Sequence, residues 1–376
     1  MALTEKYVSA AGAGSHDGSS EANAFSWSEM ITDINAGSKA GNRYNVKGNI
    51  SGGTTAQTIS GSGTVTSPVI IRGYTSTIGD GYLGRSFDGT GPLVATNMPV
   101  LTYTSSGRLA INGSYVIVET LKIVAAVASA GALTITSGSD SFAIRCIAEN
   151  SNTSGTTSAM TVSGTRSGAL DCDASNLAWS GTGNALTVSG SGARSYGCRL
   201  TCTANIGLLI SGALTNNANH VIHSCGGFGI SVTVTAGQSA IFRNTIVGGS
   251  SDGLNLVTSA TMGLLVANNL ITDNAGYGIN GVSASNAIVG AFNRLDRNAS
   301  GATNLATDWL AATSYDHDTT SVLQAAEYED FASKDFRLKS TSPAIQAGLF
   351  GVDIGSFKYH PAGGGGSSRR LLWTGL

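Results

Sequence analysis

The phrases ALTITSG (132–138), AMTVSGT (159–165) and ALTVSGS (185–191) are copies of one seven-residue pattern. Further copies follow as GLLISGA (207–213), GISVTVT (229–235), GLNLVTS (253–259) and GINGVSA (278–284). Gaps of 27, 26, 22, 22, 24 and 25 residues separate their anchoring apolar residues, which are Leu133, Met160, Leu186, Leu208, Ile230, Leu254 and Ile279. Repeats of this period stack as coils, because one coil cannot bury its apolar face alone. Two strand-like phrases per period, with no helical segment between them, predict a β-solenoid.

The composition predicts an ordered chain without a nucleic-acid or membrane partner. Of the 376 residues only 12% are charged, and the formal net charge is −2. Disordered chains combine high net charge with few β-branched residues, whereas this chain is rich in Val, Ile and Thr. A near-neutral chain also lacks the basic patch of a nucleic-acid binder. No stretch approaches the roughly 18 apolar residues of a membrane helix, and MALTEKYVSA does not resemble a signal peptide.

A second repeated phrase carries Cys146, Cys172, Cys198 and Cys225 at gaps of 26, 26 and 27 residues. Equivalent positions of successive coils stack at roughly 4.8 Å, so the pattern predicts one column of small buried side chains. The alternative is a metal ladder or a redox relay. Zinc ligands usually occur as closer pairs than Cys198 and Cys202, the nearest approach here. We therefore expect no metal and no cofactor.

The two ends of the chain differ from its repeating body. Ser26 and Glu29 have capping-box spacing, and an apolar face follows at helical spacing, formed by Trp27, Met30, Ile31 and Ile34. This predicts a helix ending near Gly37 that covers the open edge of the first coil.

At the other end, GGGGSS is a flexible linker composition. The apolar residues behind it predict a docking tail, with a disordered end as the alternative; the tail residues are Arg369, Arg370, Leu371, Leu372 and Trp373. We accordingly divide the chain into an N-terminal cap with the first strands (1–82), β-helix coils (83–300), an irregular closing region (301–360), and a linker with docking tail (361–376).

Short motifs stand near both ends of the chain. The opening motifs are Tyr7-Val8-Ser9, Asp17-Gly18, Val46-Lys47-Gly48 and Pro68–Tyr74. The closing motifs are Asp335–Leu338, Ser342–Ile345, Gly348 and Asp353–Phe357. They resemble those of the right-handed parallel β-helix superfamily, the pectate-lyase-like proteins. With the coils, the resemblance covers most of residues 7–360. It implies a right-handed parallel β-helix, but the superfamily includes lyases, glycosidases, phage tailspikes and structural fibres, so it leaves the function open.

Charged residues beside the cysteines are the candidate site. Arg145 and Asp171 precede two of the cysteines, and Asp173 and Arg199 follow two of them. Because strand residues alternate between faces, inward cysteines predict that these charges point outward. Opposite signs are expected one coil apart, with Glu119 on Arg145, Arg145 on Asp171, and Asp173 on Arg199. The set is either a glycan-binding or assembly surface or an alternating-charge ladder that stabilises the sheet.

The remaining reactive side chains suggest no catalytic centre. His220 and His223 are three residues apart, and the alignment places Ser195-Tyr196 and Phe242-Arg243 on the neighbouring coils, without a carboxylate. Asp316-His317-Asp318 has a metal-binding composition but lies in the irregular region. Asparagines at the ends of later phrases are predicted to occupy turns or stack as an internal ladder; they are Asn244, Asn268, Asn269 and Asn293.

Within the resemblance, polysaccharide lyases use a Lys or Arg base, often with Ca²⁺ held by clustered acids. No such cluster is evident, so the sequence favours a protein without enzymatic activity. It leaves open whether the protein is an enzyme. It predicts a phage virion protein (a head or tail fibre, spike or decoration protein) made in the host cytoplasm. Self-association is expected, with a homotrimer first and a filament second. Other virion proteins and host polysaccharide are further expected partners. The alternatives are a polysaccharide lyase or glycosidase, and a glycan-binding module without turnover.

Overall fold

The computed structural model describes residues 3–82, 91–126, 131–151, 157–177, 181–234, 237–257, 262–281, 287–304, 328–348 and 352–356. Within these residues the chain is an all-β parallel β-solenoid with one α-helix, α1 (Trp27–Asn35). Three short 3-10 helices interrupt the loops, at Glu21–Asn23, Asp80–Tyr82 and Ala95–Asn97.

The strands of the first coils are β1 (Thr4–Ser9), β2 (Phe25–Ser26), β3 (Asn42–Lys47), β4 (Ile50–Gly53), β5 (Ala56–Ile59), β6 (Val69–Tyr74), β7 (Val100–Tyr103), β8 (Arg108–Ile111), β9 (Val116–Glu119), β10 (Lys122–Ala125), β11 (Leu133–Ile135) and β12 (Phe142–Ile144). Those of the middle coils are β13 (Ile147–Asn150), β14 (Met160–Val162), β15 (Gly168–Leu170), β16 (Asp173–Asn176), β17 (Leu186–Val188), β18 (Arg194–Tyr196), β19 (Arg199–Cys202), β20 (Leu208–Ile210), β21 (Asn216–Ala218), β22 (Val221–His223), β23 (Ile230–Val232) and β24 (Gly237–Phe242). The last are β25 (Thr245–Val247), β26 (Leu254–Leu256), β27 (Met262–Ala267), β28 (Leu270–Thr272), β29 (Tyr277–Gly281), β30 (Ala287–Ala291), β31 (Arg294–Asp296), β32 (Gly301–Thr303), β33 (Tyr328–Asp330) and β34 (Asp335–Leu338).

The coils contribute to three long parallel sheets. In the described residues sheet A has 12 strands, in the order β2-β1-β3-β6-β9-β12-β15-β18-β21-β24-β27-β30. Sheet B has 10 strands, in the order β31-β28-β25-β22-β19-β16-β13-β10-β7-β4. Sheet C also has 10, in the order β32-β29-β26-β23-β20-β17-β14-β11-β8-β5. The chain visits B, then C, then A, so each coil has a B–C turn, a C–A turn and an A–B turn. The pair β33 and β34 is antiparallel and lies outside the coils.

The predicted repeat register is confirmed in sheet C. Each anchoring residue pairs with the next one along the series, from Leu133 opposite Met160 to Leu254 opposite Ile279. All of these anchors are fully buried in the single core that runs along the solenoid. The predicted fold class, a parallel β-solenoid, is therefore confirmed.

The glycine of the repeat phrase follows from how closely the coils stack at the C–A turn. A Cβ atom on Gly164 would lie 2.1 Å from the carbonyl oxygen of Gly138. On Gly190 it would lie 2.2 Å from the oxygen of Gly164, and on Gly212 2.5 Å from that of Gly190. Any side chain here would force adjacent coils apart, because such distances are far inside van der Waals contact. In the copies from 132–138 to 207–213 the phrase therefore pairs one buried strand with a turn that only glycine fits, whereas the later copies lack this glycine.

A second size constraint connects sheet C with sheet B. Gly207 precedes an anchor, and a Cβ there would lie 2.4 Å from Cγ2 of Ile222 on the following coil. Gly229 and Gly253 bear the same relation to Ile246 and Ile271, at 2.2 Å each. In two earlier coils the residue before the anchor and the sheet B residue of the following coil are both alanine, at Ala132 with Ala148 and at Ala159 with Ala174, whereas Ala185 precedes a coil that carries Leu200. A glycine before the sheet C anchor is thus matched by a large residue in sheet B, and the core stays filled.

The predicted N-terminal cap is confirmed. Helix α1 has a complete capping box, formed by Ser26 and Glu29, and buries Trp27, Met30 and Ile34. Ile31 is partly buried against the same core. The Trp27 indole Nε1 donates a 2.6 Å hydrogen bond to Gln57 in β5, the first strand of sheet C. The helix therefore covers the edge of sheet C, where a further coil would otherwise pair.

The A–B turns contain a stacked inward column, and the sequence prediction for it was correct for three of four cysteines. Each turn has a left-handed residue followed by an inward one, and the inward residues are Leu121, Cys146, Cys172, Cys198, His220, Asn244, Asn269 and Asn293. Cys225 lies instead at the B–C turn after β22. Assigning it to the same column was wrong, because this coil has only 22 residues, so the equivalent position falls at His220.

The described residues 328–348 and 352–356, here called the closing segment, fold back over the outer face of sheet B. Tyr328, Phe336, Leu338, Ala344 and Ile354 form a second buried cluster. The cluster includes the outward side chains of three successive sheet B strands, which are Val221, Val247 and Leu270. Ser356 donates from its backbone to Thr245 Oγ1 at 3.1 Å. The C-terminal half of this face is therefore packed against the chain itself.

Candidate functional site

Arg145 and Asp171 lie at successive A–B turns in the left-handed conformation, with φ of 52° and 57°. Their side chains form an ion pair with 3.2 Å between Nε and Oδ2, and both are about a quarter exposed. The predicted pairing of opposite charges one coil apart is confirmed here. Partly exposed pairs of this kind contribute only about 0–1 kcal/mol.

The predicted register of Glu119 with Arg145 is wrong. Glu119 lies opposite Ile144 in sheet A, and Thr120 occupies the turn position that corresponds to Arg145. Glu119 instead forms an ion pair with Arg72, its direct neighbour in sheet A. The alignment was one residue out of register because the first coils carry leucine, not cysteine, at the inward turn position.

Asp173 and Arg199 are direct neighbours in sheet B, as predicted. Asp173 Oδ2 accepts a 2.7 Å hydrogen bond from the backbone of Leu93, within the loop between β6 and β7. This carboxylate therefore fastens that loop to the sheet three strands further along.

Arg199 points outward from sheet B, as predicted, but the closing segment covers it. Its residue exposure is 8%, and its Nη2 donates to the Lys334 carbonyl oxygen at 3.0 Å. The guanidinium also lies 5.7 Å from the centre of the Phe336 ring. Arg199 points away from the core, but it binds another part of its own chain.

The sequence reasoning missed Lys122 and Glu149, which face outward on sheet B. Their ion pair has a length of 2.8 Å, and the side chains are 26% and 25% exposed. They could have been found by following the outward positions one and three residues beyond the inward turn position. Within the described residues they form a single ion pair, not a cluster of acids.

A buried charge network near the last coils was also missed. Arg297 binds Asp273 through both Nε and Nη2, at 2.8 and 2.9 Å, and binds Asp296 at 3.1 Å. Arg294 binds Asp296 at 2.9 Å, and all four side chains are less than 10% exposed. Asp273 and Arg297 occupy equivalent left-handed positions of successive coils. The network uses its charges to hold these coils together.

The two histidines are structural. The residues predicted on the neighbouring coils were out of register in the sheets, although the Ser195 side chain contacts His220, with 2.9 Å between Oγ and Nε2. His220 is fully buried in the A–B column between Cys198 and Asn244. His223 lies in β22 opposite Thr201 and Val247, beneath Phe336, whose ring centre is 5.5 Å from its own. Burial, together with the nearby cations Arg199 and Lys334, lowers the pKa of His223 to about 3. A base held neutral in this way is not positioned to accept protons from a ligand.

The asparagine prediction is confirmed. Asn244, Asn269 and Asn293 form an internal ladder in which each Nδ2 donates to the next Oδ1, at 2.9 Å in both steps. Asn268 occupies the left-handed turn position, with φ of 55°. Asp316-His317-Asp318 and the tail residues Arg369 to Trp373 lie outside the described residues.

Among the residues that the structure describes, no three His, Cys, Asp or Glu side chains come together in a group that could hold a metal ion. The five cysteines are buried, and burial raises the pKa of Cys172 and Cys198 well above the ordinary thiol value. No helix within the described residues is long and apolar enough to cross a membrane. The charges of the candidate site are arranged in pairs and in contacts to the backbone.

Comparison with known proteins identifies the fold. No protein-family model and no curated protein matches the sequence. Among solved structures, pectate lyase Pel9A aligns with 96% of this chain and 97% of its own, with a TM-score of 0.66 and 14% identity. A rhamnogalacturonan lyase aligns with 85% of this chain and 87% of its own, with a TM-score of 0.51 and 11% identity. The protein ORF18 of Geobacillus virus E2 aligns with 73% of this chain and 55% of its own. Its TM-score is 0.39 at 10% identity, which is too low to carry an argument. The chain has the parallel β-helix fold of pectate lyases, and identities this low leave its activity open.

Proposed function

We propose that this chain is a structural virion protein of a phage, a fibre, spike or decoration protein, that self-associates through its rod faces. One observation carries the non-catalytic part of the proposal. Each of the four candidate charges binds its own chain: Arg145 and Asp171 bind each other, Asp173 binds the Leu93 backbone, and Arg199 binds the Lys334 carbonyl. Side chains held in this way stabilise a rod. A lyase site would instead need a base and acids that converge on a bound sugar.

The rod character supports an assembly role. A solenoid offers long regular faces, and few charges oppose lateral association of this chain. The proposed assembly is a homotrimer, with a filament of stacked rods as the second arrangement, and other virion proteins or host polysaccharide are the proposed further partners.

The virion location can be tested directly. Antibodies raised against the recombinant protein should label phage particles released from the source bacterium in immunogold electron microscopy. Labelling confined to cell debris, with particles unlabelled, would contradict the proposal. A recombinant parallel β-helix of unrelated origin serves as the antigen for the control serum.

The second candidate is a polysaccharide lyase or glycosidase, favoured by the accessible Lys122 and Glu149 on the outer face of sheet B. A lyase would release unsaturated products from acidic polysaccharides such as pectate or alginate, seen as a rise in ultraviolet absorbance. The structural proposal predicts no such rise. Activity that disappears in Lys122→Ala, or in Arg145→Ala or Arg199→Ala variants that remain folded, would establish the enzyme instead.

The C-terminal tail is part of the proposal. A short peptide on a flexible linker gains from high effective concentration once its rod is assembled. Trp373 is the proposed anchor of a docking tail that comprises Arg369, Arg370, Leu371, Leu372 and Trp373, on a neighbouring subunit or another virion protein. Deleting residues 363–376 should leave thermal unfolding unchanged but abolish incorporation into particles. Normal incorporation of the truncated protein would show that the tail does not dock.

A further inference from the structure

The three outer faces of the solenoid differ in chemistry. On sheet C, the outward residue after each anchor is mostly a small polar one, and the series is Thr134, Thr161, Thr187, Leu209, Ser231, Asn255 and Asn280. The outer face of sheet B is packed against the closing segment in its C-terminal half. Beyond the Arg72–Glu119 ion pair of its first strands, the outer face of sheet A presents mostly apolar side chains, with Arg194 beside them, so this face requires an explanation.

An apolar stripe runs along sheet A. It is formed by residues directly opposite one another in five successive strands, which are Ile144, Leu170, Tyr196, Ala218 and Phe242. Tyr196 is 44% exposed, and Leu265, two coils beyond Ala218 in the neighbouring outward column, is 41% exposed. The other four stripe residues are partly buried. Apolar side chains that reach the surface along one line mark a candidate interaction surface.

The backbone is open at the centre of this stripe. Tyr196 ends strand β18, and the turns on both sides of that strand contain glycine in the left-handed conformation, Gly192 and Gly197, each with φ of 67°. In the preceding coil the same two turn positions hold Arg166 and Asp171. A partner can therefore approach the tyrosine more closely than it can approach the neighbouring coils.

Charges surround the N-terminal part of the stripe in a diagonal pattern. Strand β12 has Asp140 at its C–A turn and Arg145 at its A–B turn, whereas β15 has Arg166 and Asp171 at these positions. Each turn edge carries an internal ion pair, Arg166 to Asp140 at 2.6 Å and Arg145 to Asp171 at 3.2 Å. The two edges therefore show opposite orders of charge along the rod.

We infer that the outer face of sheet A is the surface through which copies of this chain associate side by side, with their rods parallel around an axis along the rod. The inference rests on the proposed function, since it names the face used for self-association. In this arrangement the A–B turns of one chain meet the C–A turns of the next at the same height. Arg145 then faces Asp140 of the neighbouring copy, and Asp171 faces its Arg166. A partner of uniform charge would not match this pattern, whereas a second copy does.

The face is large enough for such an interface. From β6 to β30, sheet A contains nine described strands. Successive strands are about 4.8 Å apart, and the face is about 16 Å wide from the C–A turn residue to the A–B turn residue. The face therefore has a flat area of roughly 600 Å² per chain. Stable complexes bury about 800 Å² per partner, which is the same order. Tyr196 lies near the middle of this area, where residues that dominate binding energy are usually found.

A pair of matched variants tests the apolar stripe. Tyr196→Glu places a charge at the centre of the stripe, whereas Leu177→Glu places one on a side chain of similar exposure, 40%, after a sheet B strand. By sedimentation equilibrium, Tyr196→Glu should weaken association by at least about thirtyfold, as expected for a central aromatic residue. Leu177→Glu should associate like the wild type, and circular dichroism should show both variants folded.

A charge exchange tests the parallel orientation. Exchanging the A–B edge, with Arg145→Asp and Asp171→Arg, keeps the internal ion pair but brings like charges together between parallel copies. It should weaken association, and a further exchange of the other edge, with Asp140→Arg and Arg166→Asp, should restore it. In an antiparallel assembly the A–B edge of one copy would face the A–B edge of the other in reversed order. The first exchange would then change both facing edges together, so opposite charges would still meet and association would not change.

The outcomes separate this inference from the proposed function. If the wild type associates and Tyr196→Glu associates equally well, the assigned face is wrong while self-association stands. If the first charge exchange leaves association unchanged, or the second fails to restore it, the parallel arrangement is wrong. A wild type that is monomeric at all concentrations overturns both this inference and the proposed self-association, whereas the immunogold experiment still tests the virion location.

Discussion

The backbone N–H of Cys198 donates a 3.1 Å hydrogen bond to Nδ1 of His220 on the next coil. Because Nδ1 is the acceptor, Nε2 carries the proton and donates to Ser195 Oγ at 2.9 Å, and that hydroxyl donates to Asn217 at 2.7 Å. One coil later, Asn244 Oδ1 accepts from the His220 backbone at 2.9 Å. The imidazole therefore takes the place of an asparagine in the turn ladder, joining the cysteine part of the column to the asparagine part.

Substituting His220 tests this role. His220→Leu removes the acceptor for Cys198 N–H and the partner of the Ser195 hydroxyl, so the free energy of unfolding should fall by about 1–3 kcal/mol for each group left unsatisfied. His220→Asn keeps an acceptor at this position and should cost less. Urea unfolding measures both values, and equal losses in the two variants would contradict the ladder role.

The buried cysteines should be unreactive in the native protein. Burial raises the pKa of Cys225 to about 12 and those of Cys172 and Cys198 well above the ordinary thiol value, so little thiolate forms near neutral pH. A chromogenic thiol reagent should label none of the five at pH 8 and all five after unfolding in guanidinium chloride. Rapid labelling of three or more in the folded protein would contradict the burial.

The glycine column of the C–A turns predicts a position-specific cost. Gly164→Ala would place a Cβ 2.1 Å from the Gly138 carbonyl oxygen, so the coils must separate, and we expect a loss of about 3 kcal/mol or more. Gly263→Ala is the control, because its Cβ would meet only the flexible Gln238 side chain, at 3.4 Å. Thermal unfolding of both variants measures the difference, and similar melting temperatures would argue against tight stacking at Gly164.

The cap helix predicts both a loss of stability and a new association. Trp27 is 2% exposed, so Trp27→Ala should cost about 3–5 kcal/mol and uncover the edge at β5. Trp27→Phe keeps most of the apolar contact and loses the hydrogen bond to Gln57. Light scattering should therefore detect larger species for the alanine variant alone. An alanine variant with unchanged stability and size would mean that the helix is not needed as a cap.

The closing segment predicts a pH dependence. Beneath Phe336 the pKa of His223 is about 3, well below the ordinary value of 6.5, because of burial and the nearby cations Arg199 and Lys334. Uncovering removes the burial and Lys334, so it raises this pKa towards 6.5. The uncovered state therefore binds a proton as the pH falls below about 6.5, while the covered state does not until about 3. As the pH falls within this window, the free energy that holds the closing segment over His223 should decrease by up to about 1.4 kcal/mol per pH unit. Above about pH 6.5 it should not change. Limited proteolysis of the closing segment from pH 7 to 4 measures this, and His223→Phe should remove this histidine contribution. Equal acid sensitivity in both proteins would contradict it.

The sequence predicted the regular parts of the molecule well. The seven anchors from Leu133 to Ile279 have the predicted register, because an inward apolar residue every coil is a direct consequence of burial. Cys225 was misplaced because residue identity was followed across a coil of different length. The 22-residue gap between Leu186 and Leu208 already carried the information that this coil is shorter.

The candidate site could be predicted only as far as neighbouring coils determine it. The contact between Arg145 and Asp171 follows from the repeat. The contacts of Asp173 with Leu93 and of Arg199 with Lys334 join residues 80 and 135 positions apart. No periodic pattern encodes such contacts, because the loop and the closing segment do not repeat. Whether an outward charge is free or covered was therefore not accessible from the repeats alone.

Ile222 fits only because Gly207 has no side chain, and this size match restricts how such a chain could grow by duplication. A copied coil fits beside its original only where the residue before the anchor and the sheet B residue of the next coil remain a matched pair. Coils of the glycine and isoleucine type are mutually compatible, since Gly229 and Gly253 repeat the arrangement with Ile246 and Ile271. A coil with alanine before its anchor, as at Ala159, would collide with such an isoleucine if inserted among them. The rod could be lengthened within either half, but its halves are not interchangeable building blocks.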